Sequence, residues 1–225
     1  MADTDSEERA RRLAADSLAA NDATSWFERL YVAAEARELT MPWDRGAPHH
    51  LLVQWAEEQH LEGRGRRALI VGCGLGQDAE YVQGLGFDTV AFDVSAAGVR
   101  TAHRRFPDSG VQYVTADLLD PRAEWRAAFD LVVESLTVQS LPESLRPAAI
   151  AAVARLVRPG GTLIVIAAVR DELEIPVGPP WPLTRADVEA FATEGLQPVR
   201  IEDIRDAKQR SVRRWRAEFA APSSA

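Results

Sequence analysis

The 225-residue chain is 46% hydrophobic and 27% charged, which is typical of a globular protein with one substantial core and argues against disorder. Its formal net charge of -8 at pH 7 disfavours a phosphate backbone as partner, so we expect no nucleic-acid binding. The single cysteine, the charged segment 1–12 and the lack of a bilayer-length apolar run predict a cytoplasmic protein without disulfide or membrane partner.

The first 62 residues are predicted to be helical or flexible. Residues 1–22 are rich in alanine and charged side chains without a strong apolar stripe, which predicts a flexible tail or a marginal helix. Residues 23–62 predict a helical cap, in which helices near 26–31 and 48–60 are separated by a break at Met41-Pro42.

Short apolar runs and helical segments alternate from residue 66 to residue 220, which we interpret as the core of a single domain, 1–225. The predicted strands are 68–71, 88–92, 111–115, 129–133 and 161–168, and the predicted helices are 77–85, 96–105, 145–157 and 185–194. The last two runs, 198–204 and 211–220, are joined too closely for a parallel crossover and predict an antiparallel hairpin at a sheet edge, with Trp215 and Phe219 on one face. The expected fold class is therefore α/β: a Rossmann-like, doubly wound, mostly parallel seven-stranded sheet with a C-terminal antiparallel hairpin and an N-terminal helical cap.

A glycine-rich loop, Gly72-Cys73-Gly74-Leu75-Gly76-Gln77-Asp78, follows the first predicted strand. Glycines let the backbone turn sharply and approach a ligand, and the next helix offers unpaired N–H groups at its start. Ligands of open α/β sheets bind outside the carboxyl ends of the strands, where this loop lies. Its G-x-G-x-G spacing differs from the G-x-G-x-x-G of dinucleotide sites.

Two acidic residues at later strand ends strengthen the prediction of a nucleoside ligand. Asp93, followed by Val94, can accept both ribose hydroxyl protons, as it would for NAD or for adenosylmethionine. Asp117 can accept from an exocyclic amine while Leu118 packs on an adenine face, although Asp117 could equally cap a helix.

The order VGCGLG, FDVS, TADL, FDLVVE and RLVRPGGTLIVI, followed by a hairpin, resembles the class I S-adenosylmethionine-dependent methyltransferases. The resemblance implies S-adenosylmethionine as cofactor and a small-molecule methyl acceptor. The implied cofactor-binding residues are Trp43, Gly72, Cys73, Gly74, Gly76, Asp78, Asp93, Val94, Asp117, Leu118 and Glu134.

A narrower resemblance, to the thiopurine, thiol and halide methyltransferase group, rests on MPWDRGAP at 41–48, the G-C-G-x-G-x-D loop and Gly178-Pro179-Pro180. It implies that the cap around Trp26, Tyr31, Trp43 and Asp44 closes over cofactor and acceptor. The loop 171–181, which ends at Trp181, emerges from the carboxyl end of the fifth predicted strand, and this position predicts that the loop closes together with the cap. Alternatively, the aromatic residues only pack the cap on the sheet. The segment 134–140 and Leu118-Leu119 depart from that group, so the acceptor could differ.

The expected reaction is methyl transfer to a small-molecule nucleophile, possibly a thiol or thiopurine-like sulfur, with transfer to oxygen or nitrogen as the alternative. Glu134, Asp44 and His50 are the candidate bases, although Glu134 could hold the cofactor and His49-His50 could be an exposed polar face. No spacing typical of a metal site is present, so none is expected. An NAD-dependent oxidoreductase and a non-catalytic adenosylmethionine-binding protein remain alternatives, and the oligomeric state is not predicted.

The C-terminal stretch is basic, with six basic against two acidic residues between 205 and 225. We interpret it as the solvated face of the terminal hairpin in preference to an anion site. The basic residues are Arg205, Lys208, Arg210, Arg213, Arg214 and Arg216.

Overall fold

A computed structural model describes residues 2–175, 178–206 and 212–223. The helices are α1 (Ala2–Ala19), α2 (Ser25–Glu35), α3 (His50–Glu58), α4 (Gln77–Gly84), α5 (Ala96–Arg105), α6 (Arg146–Leu156) and α7 (Arg185–Glu189). The strands are β1 (Arg67–Val71), β2 (Asp88–Asp93), β3 (Gln112–Thr115), β4 (Phe129–Ser135), β5 (Val157–Ala168), β6 (Gln197–Arg205) and β7 (Arg213–Ala220).

The strands form one seven-stranded sheet in the order β3-β2-β1-β4-β5-β7-β6. The first five are parallel, and β7 is antiparallel to both β5 and β6. The fold class expected from the sequence is thereby confirmed. Reversal of the strand order next to β1 creates a crevice at the carboxyl ends of β1 and β4, where such sheets bind ligands.

Both faces of the sheet are covered, because alternate residues of each central strand enter different cores. In β1, Leu69 and Val71 pack with α6 and α7, whereas Ala68 and Ile70 pack with α3, α4 and α5. A strand buried on both faces reads as a continuous apolar run, which is why these strands could be recognised from the sequence.

The terminal hairpin joins the core through its aromatic residues. Trp215 and Phe219 lie on one face of β7 and are buried, as predicted. Trp215 Nε1 donates to the Leu183 carbonyl oxygen over 2.8 Å, which ties the hairpin to the segment before α7. The helix α7 ends at Glu189, earlier than predicted, and is followed by Glu194 and Gly195 with positive φ.

Of the two alternatives predicted for the N-terminal residues, a flexible tail or a marginal helix, the structure has the helix, since α1 is continuous and packs on α2. Ala10 and Ala14 are buried in this contact, and the Ser17 and Ser25 hydroxyls lie 2.7 Å apart. Alanine carries a weak hydrophobic signal but permits close helix approach, so sequence inspection underestimated this face. The helix α3 falls in the predicted cap range yet packs on the sheet through Trp55.

The helix α2 is fastened to α5 by carboxylates. Glu28 Oε2 accepts from the Ser95 hydroxyl over 2.6 Å and from Ala97 N over 3.0 Å, at the start of α5. At the other end of the two helices, Glu35 of α2 forms an ion pair with Arg104 of α5 over 2.7 Å. Since a carboxylate at a helix N-terminus satisfies free N–H groups and interacts favourably with the helix dipole, Glu28 holds α1 and α2 over the crevice.

We expect Glu28→Ala to lower the free energy of unfolding by about 1–2 kcal/mol, because it removes two charge-assisted hydrogen bonds at the α5 N-terminus. Glu124→Ala is the matched control, since this glutamate is 68% exposed and its nearest cation is 4.0 Å away. Urea unfolding of both variants measures the difference. Equal stability would mean that the cap is held by packing alone.

Candidate functional site

A cavity of about 490 Å³ opens at the carboxyl ends of the central strands. Residues of α1, α2 and the segment 42–47 form its roof, and the glycine loop and strand ends form its floor. The predicted site residues that line it are Trp26, Tyr31, Trp43, Gly72, Cys73, Gly74, Asp78, Asp93, Val94, Asp117 and Leu118.

The glycine loop is fixed by backbone contacts to β2. Cys73 N donates to the Phe92 carbonyl oxygen over 2.8 Å, and Gly74 N donates to Asp93 Oδ2 over 3.0 Å. Gly72 and Gly74 have φ of +60° and +54°, which favours glycine. A Cβ atom at Gly72 would overlap the side chain of Thr137, so the absence of a side chain lets the turn after β4 approach.

Asp93 is a buried carboxylate at the wall of the cavity, only 7% exposed. Its Oδ1 accepts from Ser95 N over 2.9 Å while Oδ2 accepts from Gly74 N. Desolvation raises the pKa of this carboxyl to about 6, and the backbone hydrogen bonds only partly offset that cost. Each carboxylate oxygen keeps a further acceptor site, so the group can receive hydroxyl protons from a ligand.

Asp117 and Asp78 complete the acidic lining. Asp117 Oδ1 accepts from Leu119 N over 2.8 Å, so this residue stabilises its own turn and lines the cavity at once. Asp78 Oδ1 accepts from His49 N over 2.7 Å, and burial raises the pKa of this carboxyl. Burial also lowers the pKa of His49 to about 3, which keeps its imidazole neutral.

The aromatic residues of the cap serve packing and lining together. Trp26 stacks on Phe27 with ring centroids 3.9 Å apart. Trp43 Nε1 donates to the Tyr31 hydroxyl over 2.9 Å, and this hydroxyl lies 3.2 Å from the position of a Cβ atom on Gly74. The two interpretations considered from the sequence are therefore compatible, because the same rings pack the cap and face the cavity.

Comparisons with known proteins agree with this geometry. A family model described as "Methyltransferase domain" matches residues 69–165. A probable thiol methyltransferase 2 of Arabidopsis thaliana is 27% identical over 165 residues, which are 72% of this chain and 71% of the relative. These matches support a class I S-adenosylmethionine-dependent methyltransferase.

Two further matches are a relative in sequence and a solved structure, and both are methyltransferases. A ubiquinone biosynthesis O-methyltransferase of Xanthomonas axonopodis pv. citri is 36% identical over 107 residues, 47% of this chain but only 44% of the relative. The N-methyltransferase NodS of Bradyrhizobium japonicum, solved with S-adenosylhomocysteine, superposes with a TM-score of 0.64 at 20% identity, covering 81% of this chain and 92% of NodS. The first alignment thus covers less than half of the relative, and the second establishes the fold.

The residues present fit the cofactor of this family. Three neighbouring features line the cavity: the backbone of Gly74, which carries no side chain, the carboxylate oxygens of Asp93, which keep free acceptor sites, and Val94. We expect Asp93 to accept from the ribose hydroxyls and the glycine loop to approach the amino-acid portion. Among the residues described, no cluster of three His, Cys, Asp or Glu side chains could hold a metal ion, and no helix has the length and apolarity to cross a membrane.

Glu134, the predicted base or cofactor ligand, directly precedes the lining residue Ser135 but is not itself in the cavity lining. Its side chain is completely buried, and Oε1 accepts from Thr137 N over 2.7 Å and from Val138 N over 2.9 Å. Burial raises the pKa of this carboxyl to about 7. Oε1 therefore stabilises the turn after β4, while Oε2 is buried without a hydrogen-bond partner among the described residues. The roles of Glu134 as base and as cofactor ligand stay predictions.

Asp44 and His50, the other candidate bases, are also outside the cavity lining. Asp44 forms a bidentate pair with Arg105, with N···O distances of 2.7 and 3.1 Å, and accepts from Gln77 Nε2 over 2.9 Å. Arg105 lowers the pKa of Asp44, which makes this carboxylate a poor base. His50 is exposed and stacks on His49.

Gly76 and Trp181 differ from their predicted ligand-binding roles for packing reasons. Gly76 has φ of +91° at the start of α4, and a Cβ atom there would overlap the Tyr113 hydroxyl, so the glycine is required by Tyr113. Trp181 N donates to the Gln139 carbonyl oxygen over 2.7 Å, while Pro179 and Pro180 line the cavity in its place. Pro176 of the same loop lies outside the described residues.

Several lining residues escaped the sequence analysis, among them Arg45, Leu136, Gln139 and Arg214. Leu136 adopts a φ of +64°, which is unusual for leucine and is maintained by the turn after β4. Arg214 belongs to the basic stretch interpreted as a solvated face, and that interpretation fails for it. Within the same stretch Lys208 and Arg210 lie outside the described residues.

We expect affinity for S-adenosylhomocysteine to fall as the pH drops through about 6, because protonated Asp93 no longer offers a charged acceptor to the ribose. Asp93→Asn should weaken binding by about 1–3 kcal/mol at pH 8 and remove this pH dependence. Asp88→Asn, at the exposed opposite end of β2, is the control. Calorimetry between pH 5 and pH 8 measures both effects, and a wild-type profile that Asp93→Asn leaves unchanged would place the ribose elsewhere.

Proposed function

We propose that this small-molecule methyltransferase acts on a sulfur atom, in a thiol or thiopurine-like acceptor. The observation that carries the proposal is the lack of a base in what we call the acceptor half of the cavity. Its described lining residues are Arg45, Ser135, Leu136, Thr137, Gln139, Ser140, Ala168, Pro179, Pro180 and Arg214. None of these carries a carboxylate or an imidazole.

The nearest acidic group supports the same interpretation. Asp78 accepts from the His49 backbone at the start of α4, and we assign it to the amino-acid portion of the cofactor. A thiol ionises close to neutral pH and is a strong nucleophile as the thiolate. A hydroxyl ionises at much higher pH and needs a positioned base, which the acceptor half does not offer.

When bound, the cofactor would supply an electrophilic methyl carbon, to which the acceptor atom bonds as the carbon–sulfur bond breaks and S-adenosylhomocysteine leaves. What the chain contributes is alignment of the acceptor and exclusion of water. The rings of Trp26, Phe27 and Trp43 cover the cavity from above, and the turn after β4 fixes its floor. Glu134 and Thr137 act here as positioning residues, since Thr137 Oγ1 donates to the Val71 carbonyl oxygen over 3.0 Å beside the glycine loop.

The extent of the two sequence matches also favours sulfur. The similarity to the probable thiol methyltransferase covers 71% of that protein, whereas the similarity to the ubiquinone O-methyltransferase covers 44% of it. A match confined to the shared nucleotide-binding core carries little information on the acceptor. The segment MPWDRGAP at 41–48, which contributes Trp43 and Arg45 to the lining, belongs to the narrower resemblance.

We expect thiophenol to be methylated with a kcat/KM at least about a hundredfold above that of phenol, because no base assists the hydroxyl. The rising limb of the pH profile should follow the acceptor, and therefore move to higher pH when an alkyl thiol replaces thiophenol. Release of S-adenosylhomocysteine measures the rate.

Glu134→Gln is the matched control, because it keeps an Oε1 acceptor for Thr137 and Val138 while removing the titratable group. We expect this variant to retain the wild-type pH profile. Efficient phenol methylation with a pH limb that does not move with the acceptor would identify an enzyme base and refute the thiol assignment.

A further inference from the structure

Two arginines line the acceptor half without a carboxylate partner in the described ranges 2–175, 178–206 and 212–223. Arg45 comes from the segment after Trp43, and Arg214 lies in β7. Arg45 makes no hydrogen bond or ion pair with any residue in the described part of the chain, and Arg214 donates only to the Arg213 carbonyl oxygen, over 3.0 Å. Asp78 attracts the charge of Arg45, and Asp206 attracts that of Arg214, at long range and without forming an ion pair with the arginine.

Neighbouring arginines of β7 are paired in the usual way. Arg213 binds Asp171 over 2.9 Å and also Asp203, and the buried Arg216 binds Glu58 over 3.1 Å and Glu202 over 2.9 Å. The chain has 34 acidic and 26 basic residues, so carboxylates are not scarce. Arg45 and Arg214 nevertheless have no carboxylate partner among the residues that the structure describes, which points to an anionic ligand as their partner.

The two guanidinium groups repel each other as like charges, although Arg45 is exposed and Arg214 is half-buried. Desolvation lowers the pKa of both guanidinium groups, and the positive charge of Arg45 lowers that of Arg214 further. Burial and the charges of both arginines lower the pKa of the nearby His49 to about 3, so its imidazole adds no further positive charge. A carboxylate held between the guanidiniums would relieve this repulsion, since arginine pairs with carboxylates in bidentate geometry.

The position of Arg214 separates it from the nucleoside end of the cavity. Arg214 is in register with Ala168 at the end of β5. Four strand spacings lie between β2, which carries Asp93, and β7, a distance of about 19 Å. Arg214 therefore faces the acceptor, with Asp93 and Asp117 at the far end.

We infer that the methyl acceptor carries a carboxylate or a comparably compact anion in addition to its nucleophilic atom, and that Arg45 and Arg214 bind this anion. The inference rests on the proposed function for the identity of the nucleophile. With a sulfur nucleophile the acceptor class is a mercaptocarboxylate, and the apolar rings of Trp26 and Phe27 favour an aromatic or otherwise hydrophobic body.

A binding experiment tests the anion site without any turnover. The protein saturated with S-adenosylhomocysteine is titrated with 4-(methylthio)benzoate and with the neutral 4-(methylthio)benzyl alcohol. We expect the benzoate to bind at least about tenfold more tightly, and increasing salt to weaken only this preference. Arg45→Met and Arg214→Met should each abolish the preference while leaving the affinity for the alcohol unchanged.

Arg200→Met is the matched control, because Arg200 lies in the adjacent β6, is exposed and is already paired with Glu58 and Glu202. It should leave both affinities unchanged. Arg214→Lys, which keeps the charge but loses the bidentate geometry, should show an intermediate preference and guards against a folding defect in the methionine variant.

Turnover of 4-mercaptobenzoate and 4-mercaptobenzyl alcohol distinguishes the remaining outcomes. We expect a kcat/KM at least about tenfold higher for the benzoate, lost in both arginine variants through KM. Equal binding of charged and neutral ligands overturns the inference. So does a loss of S-adenosylhomocysteine affinity in the arginine variants with benzoate binding intact, because the arginines would then hold the cofactor's carboxylate. Anion binding as expected without methylation of either thiol refutes the sulfur chemistry and leaves the anion site standing.

Discussion

The buried carboxylate of Asp93 is the constraint on which the rest of the site depends. It accepts from Gly74 N on one side and from Ser95 N on the other, so it connects the glycine loop after β1 to the turn that starts α5. The same turn receives Glu28 from the cap, through the Ser95 hydroxyl. Burial raises the pKa of Asp93 to about 6, a cost that a ligand with hydroxyl donors would offset. One group thereby couples the loop, the cap and the expected cofactor.

The turn after β4 has a comparable role on the acceptor side. Glu134 accepts from two backbone N–H groups there, and Leu136 N donates to the Ile166 carbonyl oxygen over 2.8 Å, which sustains the positive φ of Leu136. Strain of this kind persists only where the surroundings impose it. The buried glutamate that the sequence predicts as a base is thus also an element of the scaffold that positions the floor of the cavity.

Local features explain what could be predicted from the sequence. The strands β1 and β4 are continuous apolar runs between turns, and the glycine loop and Asp93 occupy fixed places relative to them, so fold and nucleoside end could be recognised. The roles of Asp44 and Arg214 could not, because they depend on which partner each side chain meets. Asp44 meets Arg105, 61 residues away, and becomes a cap contact. Arg214 shares β7 with Arg213 and Arg216, which both meet carboxylates, and differs from them in which side chains the fold places within reach.

The two proposals are consistent with each other: among the described residues, the acceptor half has no carboxylate or imidazole, and its two arginines have no carboxylate partner. An enzyme that does not activate its nucleophile must gain rate and selectivity by placing that nucleophile in line with the methyl group. A carboxylate held by Arg45 and Arg214 fixes one end of the acceptor and leaves a single direction for the other. Arg45 directly follows Asp44, and the ion pair between Asp44 and Arg105 fixes the segment 42–47 on α5. The same contact therefore sets the position of Arg45, one of the two proposed anion-binding arginines. Loosening the Asp44 pair would therefore disturb acceptor orientation before cofactor binding, since Asp93 and the glycine loop are held separately.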